Sequence, residues 1–190
     1  DYFEMYGTSW KQVAVYLSDK KIVLVCGEGN PLTKEEQAAL DTFISKFDCI
    51  VLSDKMSNCH HDYAIENAFP VLQAMSRGDV EDCTPDVILS IRANYSFNPE
   101  FKGFVSKCSN AKMENWYISP SGKIIDPFHK LTKVFEMNEF AFLKAVSDAK
   151  ETILSSHEYG DIWKVISESI EEPNVPYSHV YTISKFLPLL

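Results

Sequence analysis

The stretch Lys21-Ile-Val-Leu-Val-Cys-Gly27-Glu-Gly-Asn-Pro31-Leu-Thr33-Lys-Glu-Glu36 decides the fold. Ile22 to Cys26 is a short apolar run without alternation, the pattern of a strand buried on both faces. Gly27 to Pro31 is a turn cluster. Thr33 and Glu36 have the spacing of a capping box, in which each side chain satisfies the other's backbone N–H at the start of a helix. Leu40, Phe43, Ile44 and Phe47 then supply one apolar helix face. A buried strand, a tight turn and a capped helix make the repeating unit of a parallel sheet.

The unit recurs downstream. Cys49 to Leu52 reads as a second buried strand, closed by Ser53-Asp54. Pro85 precedes a third, Val87 to Ile91, and Trp116 to Ile118 and Leu131 to Phe135 follow as the fourth and fifth. Upstream, Ser9 and Gln12 predict a capped helix with Trp10, Val13, Ala14 and Leu17 on one face, ended by Lys20-Lys21. Ile65 to Met75 predicts a helix broken at Pro70. Asp79, Glu81 and Asp82 read as a polar loop, and a short helix is expected after Pro99. Ser121-Gly122 is a turn. Asn138 predicts a long capped helix facing inward through Phe142, Ala145, Val146, Ala149 and Ile153. Asp161 to Ile170 predicts an amphipathic helix using Ile162, Val165, Ile166 and Ile170. Pro176-Tyr177-Ser178 opens a last helical stretch, whose apolar end at Leu187-Pro188-Leu189-Leu190 reads as the start of something that continues. The fold class expected is α/β: a doubly wound parallel sheet of about five or six strands with helices on both faces, plus a C-terminal helical extension. The boundary is expected between a sheet domain, 1–155, and an appended segment, 156–190.

Composition narrows the function. The formal net charge is -9 over 190 residues, and the lysines and arginines are scattered rather than striped. That average field repels a polyanion, so nucleic acid is not an expected partner. No apolar run approaches the roughly 20 residues that span a bilayer. The five cysteines, Cys26, Cys49, Cys59, Cys83 and Cys108, are odd in number and form no C-x-x-C pair. Cys26 and Cys49 lie inside apolar runs and are expected as buried thiols. This usage suits a reducing cytoplasm better than a disulfide scaffold.

The chemistry-bearing motifs are sparse. Gly27-x-Gly29 stands where a doubly wound sheet often meets a phosphate. Leu32 occupies the place of the third glycine of the dinucleotide fingerprint, and Pro31 removes a donor, so a plain tight turn is the expectation, with no tight flavin or nicotinamide binding. Cys59-His60-His61-Asp62 has zinc-ligand types, but adjacent residues rarely converge on one ion, and no metal site is expected. No catalytic residue is assigned: there is no G-x-S-x-G elbow and no Walker A loop. Ligands of such sheets sit beyond the carboxyl ends of the strands. The loops there carry Asn58, His60, His61, Arg92, Asn94, Ser96 and Asn98, with Lys102 just beyond. These are the candidate residues for a substrate edge. Arg92 stands out because it directly follows a buried strand.

Four stretches together resemble the MenD family of thiamine-diphosphate-dependent synthases. Lys21-Ile-Val-Leu-Val-Cys-Gly27 is similar to the first strand of that family's central domain. Val51-Leu-Ser-Asp54 with Ser57-Asn58 is similar to its second strand and loop, and Pro85-Asp-Val-Ile-Leu-Ser-Ile91 to its third. The fullest match is Trp116-Tyr-Ile-Ser-Pro-Ser-Gly-Lys-Ile-Ile-Asp126-Pro-Phe128 leading into Leu131-Thr132 and Val134-Phe-Glu136. Tyr159-Gly-Asp-Ile-Trp163 and Pro176-Tyr-Ser178 resemble the linker and first helix entering the family's pyrophosphate-binding domain. The resemblance implies a central scaffold domain, inactive alone, inside an enzyme that joins decarboxylated 2-oxoglutarate to isochorismate. It implies thiamine diphosphate and magnesium for the complete enzyme, neither bound by this chain. It implies partners in the enzyme's own N- and C-terminal domains, a homo-oligomer, and acidic small-molecule substrates. One departure is visible. Where the family commonly carries Ser-Lys-Arg to hold substrate carboxylates, this chain reads Ser96-Phe97-Asn98. Arg92 or Lys102 is the expected substitute cation. Two other readings stand beside this one: the central domain of another thiamine-diphosphate-dependent 2-oxo acid decarboxylase or carboligase, and a stand-alone ligand-binding module.

Overall fold

β1 (Ile22–Cys26) lies inside the sheet, with every residue buried and a parallel neighbour on each side. In the computed structural model, which describes residues 7–54, 56–66, 68–92, 99–126 and 128–170, the other strands are β2 (Cys49–Leu52), β3 (Ala64–Ile65), β4 (Val87–Ile91), β5 (Glu114–Ile118) and β6 (Leu131–Phe135). All pairings are parallel, in the order β3-β2-β1-β4-β5-β6. The unalternating apolar runs at β1, β2 and β4 are buried throughout, because helices cover the sheet on both sides.

One face holds α1 (Gly7–Leu17), α2 (Lys34–Lys46) and α6 (Glu139–Asp148), packed through Leu17, Leu40, Phe43, Phe142 and Val146 against Ile22, Leu24, Val51 and Trp116. The other holds α3 (Ala68–Ala74), α4 (Arg77–Asp82), α5 (Pro99–Lys107) and α7 (Glu158–Ser169), packed through Val71, Val80, Phe101, Phe104, Tyr159 and Trp163 against Val23, Val25, Ile50 and Ile88. Alternate residues of one strand thus feed two separate cores, as the two-residue period of a strand requires. The fold is a doubly wound α/β sheet of six strands among the described residues.

The Thr33–Glu36 capping box forms: Thr33 N–H donates to Glu36 Oε2 at 2.8 Å, and Glu36 N–H to Thr33 Oγ1 at 3.2 Å. Asn138 caps α6 through the Ala141 N–H. Several local expectations are corrected. Ser9 lies inside α1, so it does not cap it. Pro70 does not break a helix. Ile65 belongs to β3, and Pro70 is the third residue of α3, where its missing N–H would have had no intrahelical partner. Asp79, Glu81 and Asp82 are not a loop but lie in α4, which Ser76 and Asp79 cap reciprocally. Ile153 lies beyond α6 and is 71% exposed. α7 turns Tyr159 and Trp163 inward, while Val165 is 67% exposed.

α7 falls in the segment 156–190 and is held to the sheet at its start. The Asp48 carboxylate accepts from the N–H groups of Tyr159 and Gly160 at 2.9 and 3.1 Å. A carboxylate at a helix N-terminus satisfies free donors and opposes the positive end of the helix dipole. Tyr159 Oη donates to the Cys83 carbonyl at 2.6 Å, deep in the same face.

Candidate functional site at the carboxyl edge of the sheet

β1 and β4 are neighbours, but the helices that follow them, α2 and α5, lie on opposite faces. The chain therefore crosses to opposite faces after β1 and after β4, and a crevice lies at the carboxyl edge, the usual ligand position of an open doubly wound sheet. Gly27 N–H still donates to the Ile91 carbonyl at 3.0 Å, so the crevice opens just above this bond.

Arg92 closes the floor. Its backbone is left-handed, with φ 51°, and its Nη1 donates to the carbonyls of Asn30 and Ser57 at 3.0 and 2.9 Å. The guanidinium lies 5.3 Å from the Phe140 ring centre. It thereby joins the loop after β1, the loop after β2 and the start of α6. Asn58, also left-handed at φ 48°, donates from Nδ2 to the Gly29 carbonyl at 2.7 Å. Ser57 Oγ donates to the Cys26 carbonyl at 2.8 Å. Below them the Cys26 thiol is pushed well above its ordinary range by its hydrogen bond with Cys59 and by burial.

The crevice holds about 550 Å³, and its walls include Glu28, Asn30, Glu36, Arg92, Ser119 and Glu139. Three carboxylates face one guanidinium that already serves two carbonyls. The first N–H groups of α2, a natural anion seat, face the same space. They are partly taken by the Thr33–Glu36 box, and the Glu36 carboxylate stands where an anion would sit. These residues do not fit a diphosphate with its magnesium. Among the described residues no three His, Cys, Asp or Glu side chains are grouped to hold a metal.

The candidate residues separate into three groups. Asn58 and Arg92 come together at the crevice. His60 and His61 turn away, toward the outer side of α2. His60 Nδ1 pairs with Glu66 at 2.7 Å, and His61 Nδ1 accepts from the Tyr63 N–H at 2.9 Å. Burial lowers the His61 pKa against the opposing pull of Asp41 and Asp62, which suits a ring nitrogen that accepts a hydrogen bond. Cys59, by contrast, is buried, so the four adjacent residues 59–62 do not converge. Lys102 stands on α5 beside a second cavity, away from the crevice. Asn94, Ser96 and Asn98 lie outside the described residues. Ser57, Ser119 and Glu139 line or brace the crevice and were not singled out from the sequence. The first-turn position of Glu139, just after the Asn138 cap, was the available signal.

No family model matches the chain. It is similar to 2-succinyl-5-enolpyruvyl-6-hydroxy-3-cyclohexene-1-carboxylate synthases from three bacteria. The identity is 24% over 126 residues with the Bacteroides thetaiotaomicron protein and 26% over 129 residues with that of Phocaeicola vulgatus. Each of these matches covers 66% of this chain and 22% of the relative. With the Flavobacterium johnsoniae synthase it is 23% over 145 residues, 76% of this chain and 26% of the relative. The matched stretch is thus about a quarter or less of each synthase's length. No helix among the described residues is long and apolar enough to cross a membrane.

Proposed function

We propose that the chain is the central domain of a thiamine-diphosphate-dependent carboligase of the MenD type. In this reading the complete enzyme joins decarboxylated 2-oxoglutarate to isochorismate. The carrying observation is that three such synthases match this chain, each over a length that suits one domain. The doubly wound sheet supports the reading, since a rigid scaffold with an open carboxyl edge is what a middle domain needs in order to present loops to its neighbours.

In this role the chain positions rather than reacts. Arg92, at the end of β4, and Asn58 tie the loops after β1 and β2 together at this edge. Thiamine diphosphate and magnesium would be held by other domains of the complete enzyme and would there supply the decarboxylation chemistry. In this reading residues 1–155 form the scaffold together with α7, which packs into it through Tyr159 and Trp163, and the segment 156–190 leads toward the pyrophosphate-binding domain. The acidic walls of the crevice favour a second reading, a related carboligase acting on a different 2-oxo acid, because Glu28, Glu36 and Glu139 would repel an acidic acceptor there.

Calorimetric titration with thiamine diphosphate and magnesium tests the division of labour. The 190-residue chain is expected to give no saturable heat, and the product of the complete reading frame to bind both. Micromolar binding by the chain alone would overturn it.

A further inference from the structure

α5 carries Gly103 at its centre. Glycine in a helix interior is unfavourable relative to alanine, because its backbone gives up more freedom on folding. A neighbour pressing on the Cα would explain it, as at Gly29 and Gly160, where an added Cβ would meet atoms within 3 Å. A Cβ added at Gly103 meets nothing within 4 Å. The glycine is not needed for packing, and it borders open space.

That space is a cavity of about 350 Å³ between α5 and the loop entering β6. Gly103 and Val105 form one side and Phe128 another, with Lys102, His129 and Lys130 around them. Val105 is buried, and Phe128 packs edge-on against Phe101 with ring centres 5.3 Å apart. No carboxylate lines the cavity, in a chain whose net charge is -9. The loop is held in place deliberately. Asp126 Oδ1 accepts from the N–H groups of Lys130 and Leu131 at 3.0 and 3.1 Å, and His129 adopts φ 54°. A left-handed non-glycine residue is uncommon, and such conformations gather at ligand sites.

We propose that this cavity binds a small amphipathic anion, a monocarboxylate with an aromatic or branched aliphatic body. The body rests on Phe128 and Val105, and the carboxylate faces Lys130 and His129. The volume is at the small end of ligand sites and matches such a molecule. The site is separate from the carboxyl-edge crevice. It lies on the face opposite α2 and α6, beside the amino end of β6, and it stands whatever reaction the crevice serves.

Benzoate is the probe, with benzyl alcohol as its neutral counterpart of similar shape, each titrated into the ¹⁵N-labelled 190-residue chain. Benzoate is expected to produce saturable shifts at the amides of Gly103, Val105 and 128–130, and benzyl alcohol to bind about tenfold more weakly, the loss of a charge-assisted contact. Lys130→Met should weaken benzoate to a similar degree. Gly103→Leu should fill the opening and abolish binding while the melting temperature holds or rises, because leucine is the better helix former. Absence of saturable shifts at these amides would overturn the proposal. So would equal binding of benzyl alcohol, or undiminished binding by the Gly103→Leu protein.

Discussion

Removing the Arg92 side chain leaves the carbonyls of Asn30 and Ser57 without their donor and uncovers one face of Phe140. Read from the sequence, Arg92 is the expected substitute cation for a substrate carboxylate. The structure gives the guanidinium a bracing duty, so the expected first effect is on stability. Two hydrogen bonds from a charged donor, discounted for partial exposure, put Arg92→Ala at about 2 kcal/mol, or roughly 4–8 °C of melting temperature for a chain of this size. Gly29 offers an internal check. A Cβ there would fall 2.5 Å from Arg92 Nη1, so Gly29→Ala must displace the same guanidinium. The double variant should therefore melt close to the worse single variant, not at the sum. Additive losses would show that the two residues act separately. The importance of Arg92 was legible because a lone cation directly after a buried strand is unusual. Its direction was not, because a left-handed backbone at Arg92 and Asn58 turns both side chains back onto the loops, and no local pattern announces that conformation.

The same substitution, Gly→Ala, should have opposite signs on two helices. In α5, Gly103→Ala meets nothing and should stabilise by about 0.5–1 kcal/mol from helix propensity and chain entropy. In α7, a Cβ on Gly160 falls 2.8 Å from Tyr63 Cδ1 and 3.4 Å from the Cys49 carbonyl, so Gly160→Ala should destabilise despite the better propensity. Denaturant midpoints of the two variants moving in the same direction would contradict this account of how α7 docks. A pH effect belongs to the clasp that ties α1 to the strands β5 and β6. Burial alone would raise the Glu114 carboxyl, but hydrogen bonds from Lys133, Tyr16 and Trp116 outweigh it and bring the pKa to about 2, from an ordinary 4.5. A depressed carboxyl contributes its stability above the ordinary value and loses it as the pH falls toward 2. The melting temperature should thus fall between about pH 4.5 and 2, and Glu114→Gln should flatten that part of the profile. An unchanged slope in the variant would remove Glu114 from the clasp. At this scale the capping boxes at Thr33 and Ser76 have the same spacing, yet only the first was read as a helix start, because three acids in six residues resemble a loop. The α7 face was read only in part, for a different reason: Ile166 and Ile170 pack on the core, but Ile162 and Val165 are exposed. Isoleucine and valine spacing fitted one stripe and the aromatic pair Tyr159 and Trp163 another, and periodicity cannot rank two stripes when the larger side chains decide which is buried.

For the molecule as a whole, the strand runs that are apolar without alternation were enough to foresee a parallel sheet covered on both faces. Among the described residues only β3, two residues long, escaped, because so short an edge strand has no pattern of its own. The position of the crevice followed from that topology. Its charge did not, since Glu28 comes from the loop after β1, and Glu36 and Glu139 come from two helix starts distant in sequence. The resulting crevice is acidic, which suits a scaffold facing neighbouring domains better than a seat for a phosphate. The central claim is that this scaffold serves a MenD-type carboligase, and turnover by the product of the complete reading frame tests it most directly. With isochorismate and 2-oxoglutarate supplied together, the account predicts formation of the succinyl adduct with loss of carbon dioxide, dependent on both thiamine diphosphate and magnesium. Failure to consume isochorismate under conditions where the cofactor is bound would contradict it.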